Sequence, residues 1–462
     1  MRSPKPTTCL VRITQIHDNC SIIPAKSLPS SGVVGGANPV SLRHWGMRAS
    51  ACAFAGTTRI LRPHFEIVSK NMGTTCLRRK RPYLAVMLRL FGFSALIHAY
   101  IGWRLLPDMP LAALAATAAW LALSAVLIPV SLAGRRSERQ PFADRLAWAG
   151  LLAIGAFSSL LVLTVVRDVA LLFAWASSGW LFSAAALAQI RTGSAIAVPV
   201  LTGIATLVGL VNARRRAQVR FVDVPIADLP AGLHGFTIAQ ISDIHIGSTI
   251  KHDYLAAIVD AVNELEPDMI AVTGDLVDGS VRQLSRHTEP MARLTARHGT
   301  YFVTGNHEYY SGATAWVVEL RRLGLRVLLN EHVVLHHDGA DVVVAGVTDY
   351  GSHHFDAAQR SDPAAALEGA PADAAVKLLL AHQPRSAFAA APAGYDLQLS
   401  GHTHGGQFVP WNFFVRLQQP FTAGLHRLGA LWVYVSRGTG YWGPPKRLGA
   451  PSEITRLRLV PA

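Results

Sequence analysis

From Leu111 to Gly134 the chain runs for 24 residues without a charged side chain. A helix of that length crosses the roughly 30 Å hydrocarbon core of a bilayer. Residues 146–166 and 194–213 are two further uncharged spans, the second stopped by Arg214-Arg215-Arg216. Residues 83–103 carry only Arg89, placed near one end where it can snorkel to the interface. Several spans of this length do not fit inside a small globular domain, so residues 83–213 read as a helical membrane domain. The spans are too many and too late in the chain for a secretory signal peptide. Residues 169–190 are also uncharged but rich in Ala, Ser and Trp, so the count stands at four or five helices.

Charge separates the two halves. Residues 1–213 hold 21 Lys and Arg against 6 Asp and Glu, whereas residues 214–462 hold 22 against 23. The net +14 therefore belongs wholly to the front, where it marks membrane flanks: Arg78-Arg79-Lys80-Arg81, then Arg135-Arg136 with Arg139 and Arg145, then Arg214-Arg215-Arg216. A protein this basic can bind nucleic acid, but this distribution predicts a bilayer and no nucleic-acid partner. Cationic loops favour the cytoplasm. Four helices put all three clusters on one side, with residues 214–462 facing the cytoplasm of an inner or plasma membrane; five would put the last cluster outside. The charge pattern favours four. Residues 1–82 lack periodicity and read as a disordered extension with no assigned function, for which Met72 and Met87 are alternative start sites. All four cysteines (Cys9, Cys20, Cys52, Cys76) lie there and imply no disulfide framework.

The second half carries five short motifs in order: Asp243-Ile244-His245, Gly274-Asp275, Gly305-Asn306-His307-Glu308, a lone His382, and Gly401-His402-Thr403-His404. An apolar run precedes the first four, as Met269-Ile270-Ala271-Val272 precedes Gly274 and Leu378-Leu379-Leu380 precedes His382. Such runs, bounded by Gly or Asp, read as buried strands. Between the first two motifs, Leu255, Ile258, Val259, Val262 and Leu265 fit one face of a helix. That strand–helix–strand rhythm brings ligands distant in sequence to one sheet edge. The His, Asp and Asn mix suits a pair of hard-to-borderline divalent cations, and the absence of cysteine argues against a zinc finger.

Taken jointly and in this order, the motifs resemble those of the calcineurin-like metallophosphoesterases, over roughly residues 234–462. The resemblance implies an α/β fold of two mixed β-sheets sandwiched by helices, following the α-helical membrane domain. It implies two divalent ions, Mn, Fe, Zn or Mg, one held by Asp243, His245 and His404 and the other by Asn306, His382 and His402. Asp275 would bridge them, and a shared hydroxide would attack phosphorus. His307 is implied as proton donor or stabiliser of the leaving group. Residues 222–225 read as a first edge strand, and residues 341–347 and 453–460 as strands of the second sheet.

Other residues are more ambiguous. Tyr309 and Tyr310 can stack on a substrate or pack under their loop, and Tyr309 is the expected substrate contact. Arg437 can hold a phosphate bidentately or pair with a surface acid. The pairs His336-His337 and His353-His354 read as surface or loop residues, with lining of the cleft as the alternative for His353 or His354. Gly438-Thr439-Gly440 lacks the spacing and Lys-Ser/Thr of a phosphate loop.

The expected function is metal-dependent phosphoester hydrolysis, as a phosphodiesterase, at the membrane surface. Tethering there favours a phospholipid or nucleotide-linked lipid as substrate. A phosphomonoesterase or protein phosphatase would use the same motifs. A non-catalytic sensor or transporter is the rival from another class, disfavoured because no ligand is missing and the central spans carry almost no ionisable residue. The sequence assigns neither the metal nor an oligomeric state.

Overall fold

The computed structural model describes residues 72–134, 140–178 and 180–462; the expectations for residues 1–71 lie outside them. Four long apolar helices come first: α1 (Met72–Leu105), α2 (Leu111–Gly134), α3 (Phe142–Ala176) and α4 (Ala184–Arg214). Each is long and apolar enough to cross a membrane. The first begins at Met72, ahead of residue 83, so its leading turns include the basic run Arg78–Arg81. Residues 169–190 are not a fifth span. Their start completes α3, a turn follows, and the rest opens α4, where the Ser183 side chain accepts from the Ala186 amide at the N-terminus.

The helices pack through small residues and buried hydroxyls. Gly150 of α3 lies against Ser131 of α2, with no room for a side chain. Ser94 of α1 donates to the Ala125 carbonyl of α2, while Ile101, Leu105, Leu121, Leu160 and Val198 fill the middle of the bundle. Away from the catalytic domain, buried Arg167 pairs with Asp108, Asp108 with Arg191, and Asp168 with Arg104. Pairing of this kind is what makes charges tolerable at membrane depth.

The rest of the described chain is an α/β sandwich. In chain order it contains β1 (Gln218–Ile226), β2 (Thr237–Ile241), α5 (His252–Asn263), β3 (Met269–Val272), α6 (Val281–Thr288), β4 (Thr300–Phe302), α7 (Asn306–Ser311), α8 (Ala313–Arg322) and β5 (Arg326–Val327). There follow β6 (Glu331–His337), β7 (Ala340–Gly346), β8 (Val376–Leu380), α9 (Ala387–Ala393), β9 (Leu397–Ser400), α10 (Trp411–Phe414), β10 (Gly424–Leu428), β11 (Leu431–Val435) and β12 (Glu453–Pro461). One sheet runs β1-β12-β2-β3-β4-β5 and the other β10-β11-β9-β8-β7-β6. Both are mixed: β2, β3 and β4 are parallel while β12 is antiparallel to β2.

Between the sheets lie Ile238, Ala271, Tyr301 and Leu457 from one side and Val344, Leu378, Leu399 and Tyr434 from the other. Helices α5 and α8 cover the outer face of the first sheet through Leu255, Ile258, Trp316 and Leu320. Strand β1 is an edge strand, as residues 222–225 suggested. Strand β12 is not in the second sheet: it inserts between β1 and β2 in the first. Its alternating pattern is common to strands of either sheet, so pairing alone decided its place.

Candidate metal centre

Each motif sits on the loop that leaves a strand of the paired sheets. Asp243 and His245 follow β2, Asp275 follows β3, His307 opens α7 after β4, His382 follows β8, and His402 and His404 follow β9. Asp243, His245, Asp275, His402 and His404 all hold φ between 52° and 70°. Non-glycine residues rarely adopt this left-handed region, and clusters of such strain belong to functional sites. Gly305 and Gly401 let the loops close: a methyl on Gly305 would collide with the Asp275 carboxylate, and one on Gly401 with Ser242 and Asp243.

Three overlapping groups of donors result, the third being His245, Asp278 and His307. Asp243, His245 and His404 form the first, with His245 Nε2 3.1 Å from His404 Nε2 and His404 Nε2 3.4 Å from Asp243 Oδ1. Asp275, His382 and His402 form the second: His382 Nε2 lies 3.2 Å from His402 Nδ1 and 3.2 Å from Asp275 Oδ2. The same Asp275 oxygen is 3.9 Å from His245 Nε2, so this carboxylate stands between the groups. Asn306 Oδ1 is buried without a hydrogen-bond partner. The structure thus brings together six of the seven residues expected at the metals, and it leaves the Asn306 oxygen buried on the loop between Gly305 and His307.

These atoms fit cations. The outer nitrogen Nδ1 of His382 lies 2.8 Å from the Thr273 carbonyl, which only accepts, so Nδ1 carries the proton and Nε2 turns its lone pair inward. His245 Nδ1 is held likewise by Asp278 at 3.0 Å. Without metal, protons take the cations' place. Burial opposes a charged His245, but Asp278, Asp275 and Asp243 raise it to about 9. Burial and His382 push the neighbouring His402 down to about 3, and burial with His245 pushes His404 down. In each facing pair one ring keeps a proton and the other does not.

Three residues to which the sequence assigned no role support the site. Asp278 accepts from both His245 Nδ1 and His307 Nδ1, the latter at 2.6 Å. Burial works against its charge, yet the two imidazoles hold it well below the usual carboxylate range. The signal was a second carboxylate three residues after Asp275. Glu308, fully buried, accepts from the amides of Gly305, Asp275 and Leu276. Burial and nearby Asp275 push it up to about 7. Arg447, also fully buried, donates to the carbonyls of His404, Arg437 and Gly440, and its guanidinium lies 3.2 Å from His404 Nδ1. No local motif announces it.

The two candidate substrate contacts are placed differently from expectation. Tyr309 turns inward and donates to Gln359, whereas exposed Tyr310 stands edge-on to His307 with ring centroids 5.2 Å apart. Arg437 pairs with Glu453 at 2.9 Å, a buried acid rather than a surface one. His337 is buried against Phe236 and His298, not at the surface; His336 is exposed and pairs with Asp341. His353 and His354 lie on the loop after β7. A cleft of about 270 Å³ opens at His245 and His307, and is walled by Tyr310, Tyr441, Trp442, Asp278 and Leu151 of α3.

The family model for the calcineurin-like phosphoesterases matches residues 236–406. A Bos taurus transmembrane protein with metallophosphoesterase domain is 39% identical over 315 residues, covering 66% of this chain and 70% of the relative. An uncharacterized metallophosphoesterase of Campylobacter jejuni is 35% identical over 250 residues, 54% of this chain and 64% of the relative. The chain thus spans about two thirds of the length of these relatives. Among solved structures, a 5'-nucleotidase precursor from Thermus thermophilus aligns at 15% identity with a TM-score of 0.33, over 49% of this chain and 54% of that one.

Proposed function

The chain belongs to the calcineurin-like metallophosphoesterase family, and on that premise we propose that it hydrolyses phosphodiesters presented by membrane lipids. The observation that carries the reading is the double donor cluster around Asp275, with buried Asn306 Oδ1 lacking any protein partner. We assign Asp243, His245 and His404 to one cation and Asn306, His382 and His402 to the other, with Asp275 shared. Two divalent cations there, Mn, Fe, Zn or Mg by donor type, would neutralise phosphoryl charge and activate a water.

The chain's own groups account for the remaining steps. Asp278 fixes Nδ1 of His307 and so orients the ring, leaving Nε2 to hand a proton to the departing alkoxide. Trp442 and Tyr310 stand edge-on to that ring, at 5.8 and 5.2 Å between centroids, and screen it from water. The described cleft lining holds no Lys or Arg, which suits a singly charged diester better than a dianionic monoester. Leu151 of membrane helix α3 forms part of the same wall, so a substrate entering the cleft touches the membrane domain; this favours a lipid-borne phosphate. We take residues 83–213 as membrane domain and 214–462 as catalytic domain. Arg145 and Arg214–Arg216 at the catalytic end of the bundle favour a cytoplasmic active site.

The test is hydrolysis of bis-p-nitrophenyl phosphate and p-nitrophenyl phosphate by the full chain in nanodiscs, with and without Mn²⁺, beside Asp275→Asn. Metal-dependent diester cleavage lost in the variant is expected. Faster monoester cleavage would replace the diesterase reading with a phosphomonoesterase. Folded protein inert with all four metals would point to a non-catalytic sensor.

A further inference from the structure

The catalytic domain exposes a run of large apolar side chains immediately after its last motif. Val409, Trp411, Phe413, Phe414 and Leu417, on α10 and the turns beside it, all face outward, Phe413 at 70% and Leu417 at 85% exposure. Trp442, half exposed, is tied to the same segment: Gln407 donates to the Trp442 carbonyl and accepts from its amide. Contiguous exposed apolar surface of this size marks an interaction site.

The position of this run along α3 identifies the partner. Gly150 of α3 faces Ser131, three residues before α2 ends at Gly134. Ser158, eight residues further into α3, is therefore about 12 Å deeper along the helix axis. Trp411 Nε1 donates to Ser158 Oγ at 3.0 Å. The neighbouring 441–447 loop reaches the same depth, where Lys446 Nζ donates to the Gly155 carbonyl at 3.0 Å and to Ser159 Oγ at 2.5 Å. The Arg447 amide donates to the Gly209 carbonyl of α4 at 2.8 Å. Gly209 has no side chain to block this, since a Cβ there would strike Lys446. Both segments thus lie beside α3 within the stretch that uncharged α2 must bury in hydrocarbon.

The backbone amides along the rim are paired as a bilayer requires, while the buried Asn412 Oδ1 has no partner. The amides of Val409, Trp411 and Phe413 donate to the carbonyls of Leu448, Phe408 and Pro410. Lys446 is fully buried and satisfied by a carbonyl and a hydroxyl of the bundle, the usual accommodation for an ionisable group at membrane depth.

We propose that Val409–Leu417 with Trp442 forms a rim of the catalytic domain that is embedded in the near leaflet of the phospholipid bilayer. The partner is the acyl and glycerol region of the lipid, not a second protein. The rim follows closely on His404, and Gly406 packs directly on Asn412 of α10, so the leaflet holds the loop that carries a candidate metal ligand. This placement is independent of which phosphoester is cleaved.

Spin labels report it directly. In full-length protein with Cys9, Cys20, Cys52 and Cys76 replaced by Ser, labels are placed by Phe413→Cys and Leu417→Cys. Val126→Cys, exposed on α2, serves as the lipid reference, and Val318→Cys, exposed on α8, as the water reference. In nanodiscs the rim labels are expected to match position 126: relaxed by oxygen and shielded from an aqueous nickel chelate. Rim labels as nickel-accessible as position 318 would overturn the proposal. Dipolar broadening between rim labels that vanishes on dilution with unlabelled protein would also overturn it, in favour of a contact between copies. If the labelled proteins fail to fold, brominated lipids give the second measurement. Wild type should lose more tryptophan emission to bromine near the glycerol level than Trp411→Phe does, and equal losses would overturn the proposal.

Discussion

Nε2 of His245 and Nε2 of His404 face one another at 3.1 Å. Neither ring can donate to the other when both lone pairs point inward, so the contact needs a proton or a metal between them. We expect chelation to destabilise the protein and added divalent ions to restore it. An ion at a thousandfold excess over its Kd adds about 4 kcal/mol to stability. The check is thermal unfolding in nanodiscs with EDTA, then with Mn²⁺ or Zn²⁺. Melting temperatures unchanged by either treatment would rule out a metal centre here.

Asp278 reaches two rings with one oxygen, His245 at 3.0 Å and His307 at 2.6 Å. Asp278→Asn keeps the size but removes the charge that sets both tautomers. Metal affinity should fall ten- to hundredfold, the usual effect of losing a carboxylate behind a ligating histidine. Turnover at saturating metal should fall further, because His307 loses its orienting partner. Metal titration with parallel kcat measurements separates the two effects. Full turnover once metal is restored would show that Asp278 matters for binding alone.

Glu308 ties two loops together through the amides of Gly305, Asp275 and Leu276. Glu308→Gln presents an NH₂ group to donors that need an acceptor. A loss of about 3 kcal/mol follows from leaving such buried groups unpaired. Chemical denaturation of the metal-free protein would reveal it, and a change within experimental error would mean the amides find water instead.

The candidate metal-site loops were legible because five motifs of His, Asp and Asn follow one another in order, most of them directly after an apolar strand-like run. The membrane helices were legible because length and absence of charge leave few alternatives. What escaped depends on contacts between distant segments. Nothing near Arg447 in sequence says that it meets His404, and nothing in the alternation of β12 says which sheet it joins. Tyr309 and Tyr310 are adjacent and chemically identical, so only the turn of α7 decides which lines the cleft. The end of α3 was obscured because Arg167 and Asp168 look like a stop to a span, whereas their partners Asp108 and Arg104 let the helix continue.

That α7 geometry separates two neighbouring truncations. Tyr310→Ala opens the wall beside His307 and should raise KM several-fold with a lipid diester while leaving the melting temperature nearly unchanged, since the side chain is exposed. Tyr309→Ala removes the hydrogen bond to Gln359 and the packing on Phe355, so stability should fall by about 2–4 kcal/mol. Steady-state kinetics beside unfolding curves would show the reverse pattern if Tyr309 were the substrate contact.

Lys446 links the catalytic domain to the bundle and supplies a pH signature. Burial pushes its ammonium down to about 8, while in the unfolded chain a lysine holds its proton to about 10.4. Between these values the unfolded state binds more protons, so this group makes stability rise with pH across that window. Below pH 8 the full cost of burying the charge is present. Lys446→Met removes the titration together with the bonds to Gly155 and Ser159, and the loss of those bonds varies little with pH. The melting-temperature difference, wild type minus Lys446→Met, should therefore increase from pH 7.5 to pH 9.5. A difference constant over that range would mean that Lys446 keeps its proton in the bundle, with the carbonyl of Gly155 and the hydroxyl of Ser159 solvating the charge as well as water does.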